Sequence, residues 1–266
     1  MNLSKKWRKY SAVATTAAQS RLAYWQEMGA RTFFFAIILF IFSGLWGQVI
    51  GADGSLVGFT RQQLVWYLML TEAITLSATS LVTEIEQDVK SGQIAYLLAK
   101  PLNYLLYQAA HYAGEMAVST SLNLLAGGVV AWALVGLPII TLPSLTQALV
   151  LLVLGAAVRF CLLASIALLS FFVEESRPFY WIYSKLVFTL GGLFIPIDLY
   201  PKFFKQLAAW LPFQSITYGP ARAFISGDWS LFGSFASIAL LWCVLLAGLL
   251  HLEFTQGVKQ INVNGG

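Results

Sequence analysis

The chain has 266 residues, 58% of them hydrophobic and only 11% charged, with a formal net charge of +4. Soluble domains carry about 25% charged residues, so the composition excludes an ordinary soluble globular protein and points to a polytopic membrane protein. The positive charge is concentrated: Lys5, Lys6, Arg8, Lys9, Arg21 and Arg31 precede the first long apolar run. Beside greasy segments such an arm marks a cytoplasmic membrane face, not a nucleic-acid surface.

In residues 1–30, Leu3, Trp7, Tyr10, Val13, Ala14 and Ala17 recur at helical spacing with basic residues between them. This predicts an amphipathic helix lying in the membrane interface. The competing reading is a disordered basic tail; the aromatics Tyr24 and Trp25 favour the helix. The basic region leads into a full-length apolar run without a short core and small-residue cleavage site, so no cleavable signal peptide is expected.

Apolar runs of about 20 residues then predict six spans, over 32–51, 61–83, 108–136, 144–173, 178–197 and 231–252. With the N-terminus inside, eleven Lys and Arg residues fall on the inner side, Lys90, Lys100, Arg177, Lys185 and Lys259 among them. Only Arg61, Lys202, Lys205 and Arg222 fall outside. The asymmetry predicts both termini in the cytoplasm. The chain reads as one all-α membrane domain, 1–266, with no low-complexity linker.

Two connections stand out. Segment 84–103, "EIEQDVKSGQIAYLLAKPLN", is predicted cytoplasmic. Ile85 and Val89 share a helical face, Gly92 allows a bend, Ile94, Leu97 and Leu98 form a second apolar face, and Pro101 stops the helix. The spacing predicts two short helical pieces at an angle, whose exposed apolar residues seek a partner surface or the membrane. Segment 198–230 is predicted external. Pro201 and Pro212 bracket a short amphipathic helix, too short to span, which fits a re-entrant or interfacial hairpin.

Three ionisable residues fall inside predicted spans: Glu72, Glu115 and Arg159. Charge at bilayer depth usually faces protein or a water-filled path. Arg159 paired with Glu72 is either a substrate or gating site, or an ion pair that fixes helix packing. Cys161 and Cys243 lie in apolar runs and read as small buried hydrophobes. His111 and His251 read as polar tips reaching the interface. No phosphate-binding G-x-x-x-x-G-K-[ST], no H-E-x-x-H and no Cys/His cluster is present, so neither an enzyme nor a metal site is expected.

The acidic residues Glu84 and Glu86, then Gly92, then Ile94, Leu97 and Leu98, then Pro101-Leu102, resemble the loop after the second span of ABC-2-type permeases, the membrane subunits of ABC exporters. The N-terminal helix, the six spans and the proline-bearing hairpin "FIPIDLYPKFFKQLAAWLPF" resemble that family too. One departure is that Glu86 is followed by Gln87 and Asp88, where many members have Glu-Arg. The resemblance implies a cytoplasmic coupling helix docked on an ATP-binding subunit through Glu84, Glu86, Gly92, Ile94, Leu97, Leu98 and Pro101. It implies ATP and Mg on that partner, with no cofactor on this chain. It also implies a second permease, identical or different, a site in the bacterial inner membrane, and export of a substrate that the residues do not name. Alternatives from the residues are an ion- or proton-coupled carrier using Glu72, Glu115 and Arg159, and a lipid-binding membrane scaffold.

Overall fold

The computed structural model describes residues 3–23, 25–51, 54–77 and 79–264. Among them every regular element is helical, apart from one bridge pairing Leu56 with Phe59. The helices are α1 (Leu3–Ala23), α2 (Trp25–Ile50), α3 (Arg61–Leu76), α4 (Leu81–Lys90), α5 (Gln93–Leu98), α6 (Tyr104–Val135), α7 (Leu142–Leu168), α8 (Arg177–Leu190), α9 (Lys202–Trp210), α10 (Phe213–Ile216), α11 (Tyr218–Ser226) and α12 (Trp229–Asn264). Tyr24, one of the two aromatics used to favour an N-terminal helix, lies outside the described residues.

The long helices start where local chemistry allows. Thr60 and Gln63 form a capping box at α3, Asn103 accepts the Leu106 N–H at α6, and Thr141 and Ser144 form a capping box at α7 beside Pro143. Each satisfies amide donors that a helix start leaves unpaired.

Five helical stretches are long and apolar enough to cross a membrane: Thr32–Ile50, Arg61–Lys90, Tyr104–Val135, Leu142–Phe171 and Trp229–Gln260. Their outer faces carry exposed apolar side chains such as Phe34, Phe40, Leu125 and Val244, as hydrocarbon contact requires. The fifth expected span, 178–197, is different. Its helix α8 has 14 residues, a rise of about 21 Å against a hydrocarbon core of about 30 Å. The chain then turns at Gly191-Gly192 and runs inward, with Leu193 and Ile197 buried. The carbonyls freed by this turn are taken by hydroxyls. Tyr67 donates to Gly192, Thr71 to Leu193 at 2.7 Å and Thr217 to Gly191 at 2.6 Å. Irregular backbone is tolerated at such depth because protein satisfies it.

The second span, expected over 61–83, is interrupted between α3 and α4. There the Ala73 carbonyl receives Ser77 Oγ at 2.6 Å and Asn123 Nδ2 at 3.2 Å. The Ile74 carbonyl receives Arg159 Nη1 at 2.7 Å.

Helix α1 lies against the first part of α6. Tyr10 meets the Asn103 amide at 3.2 Å and Arg21 Nε meets Ser119 Oγ at 3.0 Å, a stretch of about four turns. Gly114 makes this approach possible, because a methyl group there would overlap the Ala14 carbonyl oxygen.

One end of the bundle gathers α4, α5, the starts of α6 and α8 and the ends of α7 and α12. The other end holds the 54–60 and 136–141 turns and the hairpin. Gln62 and Trp66 bond to the carbonyls of Leu137 and Gly136 there, each at 2.9 Å. In the hairpin, α9 occupies the interval between Pro201 and Pro212 and leaves Phe203, Phe204 and Trp210 exposed, whereas α10 and most of α11 are buried.

Candidate functional site

Helices α4 and α5 form an elbow. Gly92 sits at φ +72° between them, a left-handed conformation that costs other residues about 1–2 kcal/mol. Pro101 and Leu102 then lead to the Asn103 cap of α6.

The apolar side of the elbow faces inward. Ile85 and Ile94 are fully buried, and Val89, Leu97 and Leu98 are half-buried against the same core, which includes Tyr104, Leu168 and Leu250. The apolar stripe belongs to the protein interior because burying it there removes it from water without any partner. The exposed surface consists of Gln87, Lys90, Ser91, Gly92, Gln93, Ala95, Tyr96, Ala99, Lys100 and Pro101. Tyr96 is 66% exposed, and Lys100 Nζ lies 4.5 Å from its ring centre.

The acids are also engaged inside. Glu86 is 7% exposed; Lys90 donates to it at 2.5 Å and the Ser176 hydroxyl binds its other oxygen. This ties α4 to the segment that enters α8. Along α6 runs a second set of contacts. Ser80 meets Glu115 through its amide at 3.2 Å and its hydroxyl at 3.1 Å. Glu84 lies 3.5 Å from His111 Nδ1. Asp88 accepts from the Tyr104 hydroxyl at 2.9 Å and from Gln108 at 3.4 Å. Ser80, Glu84 and Asp88 are one turn apart on α4, and Tyr104, Gln108, His111 and Glu115 are spaced four, three and four on α6. The two stripes run antiparallel and form a polar ladder. Sequence reading missed Tyr104, Gln108 and Ser176; the matching polar periods of the two stripes carried the signal for Tyr104 and Gln108.

The donor atoms of Glu84, His111 and Glu115 lie within 4.8 Å of one another. One imidazole and two carboxylates could hold a divalent cation. Ser80 also occupies both carboxylates.

The expected Arg159–Glu72 pair does not form. Arg159 is 7% exposed and Glu72 is 3% exposed, and no ion pair joins them among the described residues. The guanidinium is drawn instead to the Ile74 carbonyl at 2.7 Å, with Met116 Sδ at 3.9 Å. The Ile74 carbonyl, which also accepts the Ser77 amide at 3.3 Å, lies in the last turn of α3, and a cation at a helix C-terminus is electrostatically favoured. Glu115 serves the ladder and Arg159 the Ile74 carbonyl, and among the described residues no ion pair joins either of them to Glu72.

Arg159 also reaches a cavity of about 570 Å³ between α4, α7 and α8, shared with Thr79, Thr83, Glu86, Arg177 and Tyr180. Two apolar cavities, of about 560 and 750 Å³, lie between α6 and α7. At the other end, Asp198 accepts from Tyr218 at 2.8 Å and from Arg222 at 3.1 Å. The Arg222 guanidinium stands 4.9 Å from the Phe59 ring centre.

Five helical stretches long and apolar enough to cross a membrane define a polytopic membrane protein. Residues 30–265 match the family described as ABC-2 family transporter protein, and the chain belongs to that family. It is a membrane permease of an ABC transporter, in which ATPase activity resides on an ATP-binding partner. The comparison with curated proteins finds no match.

Proposed function

We propose that this chain is the transmembrane subunit of an ATP-driven exporter in the bacterial inner membrane, with both termini cytoplasmic. A separate subunit binds ATP and Mg and docks on the elbow of α4 and α5, and a second permease, identical or different, completes the pathway. The carrying observation is the elbow itself. It is a bent pair of helices whose apolar side is anchored in the core and whose other side, from Gln87 to Pro101, is exposed.

Coupling follows from the anchors. A push on the elbow moves α4 as a unit. The Glu86–Ser176 contact carries that movement to α8 and the polar ladder carries it to α6, while the break at Ser77 lets α4 pivot against α3. A two-state shift of this kind switches access between the two sides. Glu84, Glu86, Ile94, Leu97 and Leu98 position the surface rather than form it; Gly92 and Pro101 shape it. The engagement of Glu115 with Ser80 and of Arg159 with the Ile74 carbonyl, away from each other, favours this reading over a proton relay.

The test is co-purification with the ATP-binding subunit. Tyr96→Asp, on the exposed side, is expected to lower association at least tenfold while the melting temperature stays within about 2 °C, since exposed substitutions change stability by about 0.5 kcal/mol or less. Full association and transport by this variant would sink the docking assignment.

A further inference from the structure

We propose that the cavity beside Arg159 binds the anionic group of an amphiphilic substrate. Arg159 carries five N–H donors and a permanent charge. Its hydrogen-bond partners are the Ile74 carbonyl at 2.7 Å and the Met116 sulfur at 3.9 Å, both uncharged. Among the described residues no carboxylate stands within ion-pair distance of it. A cation buried with neutral partners alone is costly at membrane depth, and an anion of matching geometry relieves that cost.

A second observation points the same way. Thr79, from the break between α3 and α4, lines the same cavity, and its hydroxyl is buried with no hydrogen-bond partner. Phosphate, sulfonate and carboxylate oxygens accept from both guanidinium and hydroxyl. The acids nearby do not serve as the missing counter-charge. Glu86 is held by Lys90 and Ser176, and Glu175 is exposed, one residue before the Ser176 that bonds Glu86.

The rest of the lining is mixed: Arg177, Thr83 and Tyr180 add polar groups beside the two acids, and Val82, Leu163, Pro178 and Trp181 form an apolar face. A volume of about 570 Å³ lies within the usual range of about 300–1,000 Å³ for small-molecule sites and exceeds what a bare inorganic anion fills. Two guanidinium groups, of Arg159 and Arg177, next to an apolar face suit an anionic head joined to an apolar body.

This inference rests on the permease reading for its physiological meaning, but binding is measured on this chain without the ATPase. The full chain is reconstituted in phosphatidylcholine nanodiscs, and retention of radiolabelled dodecyl phosphate is counted against empty nanodiscs. Saturable binding is expected. Arg159→Gln, checked for monodispersity, is expected to weaken it at least tenfold. Thr79→Val, which leaves the Ile74 contact intact, is expected to weaken it several-fold. Unlabelled dodecyl phosphate should displace the label, and dodecyltrimethylammonium should not. Unchanged binding in both variants, or equal displacement by the cationic amphiphile, overturns the site. Displacement by inorganic phosphate at the same concentration as dodecyl phosphate overturns the amphiphile assignment. Absence of saturable binding by the unaltered chain, with ATPase association intact, refutes the site and leaves the permease reading standing; binding by the unaltered chain without ATPase association does the reverse.

Discussion

The two ends of the bundle solve one problem in opposite ways. Each contains a stretch where an expected span is broken, and each must satisfy the backbone and polar groups that the break exposes. At the elbow end the α3–α4 break itself is held by side chains on the Ala73 and Ile74 carbonyls, but the joints of the elbow beyond it are side chain to side chain: Glu86 with Ser176, Glu84 with His111, Asp88 with Tyr104. At the hairpin end they are mainly side chain to main chain, with Tyr67, Thr71 and Thr217 each holding a carbonyl of the segment 191–193. Side-chain pairs can change rotamer and trade partners. A hydroxyl bonded to a buried carbonyl has no substitute within reach, and letting go leaves that carbonyl unsatisfied at about 1–3 kcal/mol. The elbow end is built to shift, and the hairpin turn is built to stay.

That contrast can be attacked at several points. The largest effect is expected for Gly192→Val. The site has φ +69°, and a side chain would crowd the Tyr67 hydroxyl and Ile197. Left-handed strain of about 1–3 kcal/mol adds to overpacking of similar size, so thermal scans in detergent should find a protein that is barely folded. Thr217→Val keeps the shape but orphans the Gly191 carbonyl. It should destabilise by about 1–3 kcal/mol and leave ATPase association unchanged in the fraction that folds. Gly92→Ala, at the elbow, should cost about 1–2 kcal/mol and re-aim α5, so ATPase coupling should fall more than melting temperature does. Asp88→Asn is the mildest. It keeps an acceptor for Tyr104, and a change under about 1 kcal/mol is expected, with any deficit confined to coupling measured in proteoliposomes. If Asp88→Asn proved as damaging to folding as Thr217→Val, the distinction between a shifting end and a fixed end would collapse.

Much of the architecture is legible in the sequence because it depends on hydrophobicity and on turn residues. The spans begun near Thr32, Tyr104, Leu142 and Trp229 follow from apolar runs, the bend at Gly92 from glycine, and α9 from Pro201 and Pro212. The turn after α8 is not legible. The run 178–197 stays apolar through Gly191, Gly192 and Phe194, and hydropathy does not distinguish a helix that continues from a backbone that folds back into protein. The partner of Arg159 is hidden for a related reason. Sequence reasoning pairs side chains by charge, whereas the guanidinium sits on a main-chain carbonyl, which no residue letter announces. The apolar face of the elbow was visible as a pattern but not as a direction, since periodicity says which residues share a face and not what that face meets.

Helix α12 has 36 residues, a rise of about 54 Å against the roughly 30 Å of hydrocarbon. Near one end Phe254 stacks on Tyr104, their ring centres 5.7 Å apart and nearly parallel, and Tyr104 is the residue that holds Asp88. Toward the other end Phe235 meets Tyr218 edge to face at 5.4 Å, and Tyr218 holds Asp198. The two phenylalanines are 19 positions apart, about 28 Å along the axis. A helix hardly shortens under load, so α12 works as a connecting rod with an aromatic bearing at each end. The elbow and the hairpin are remote from one another in distance and yet share a single stiff part.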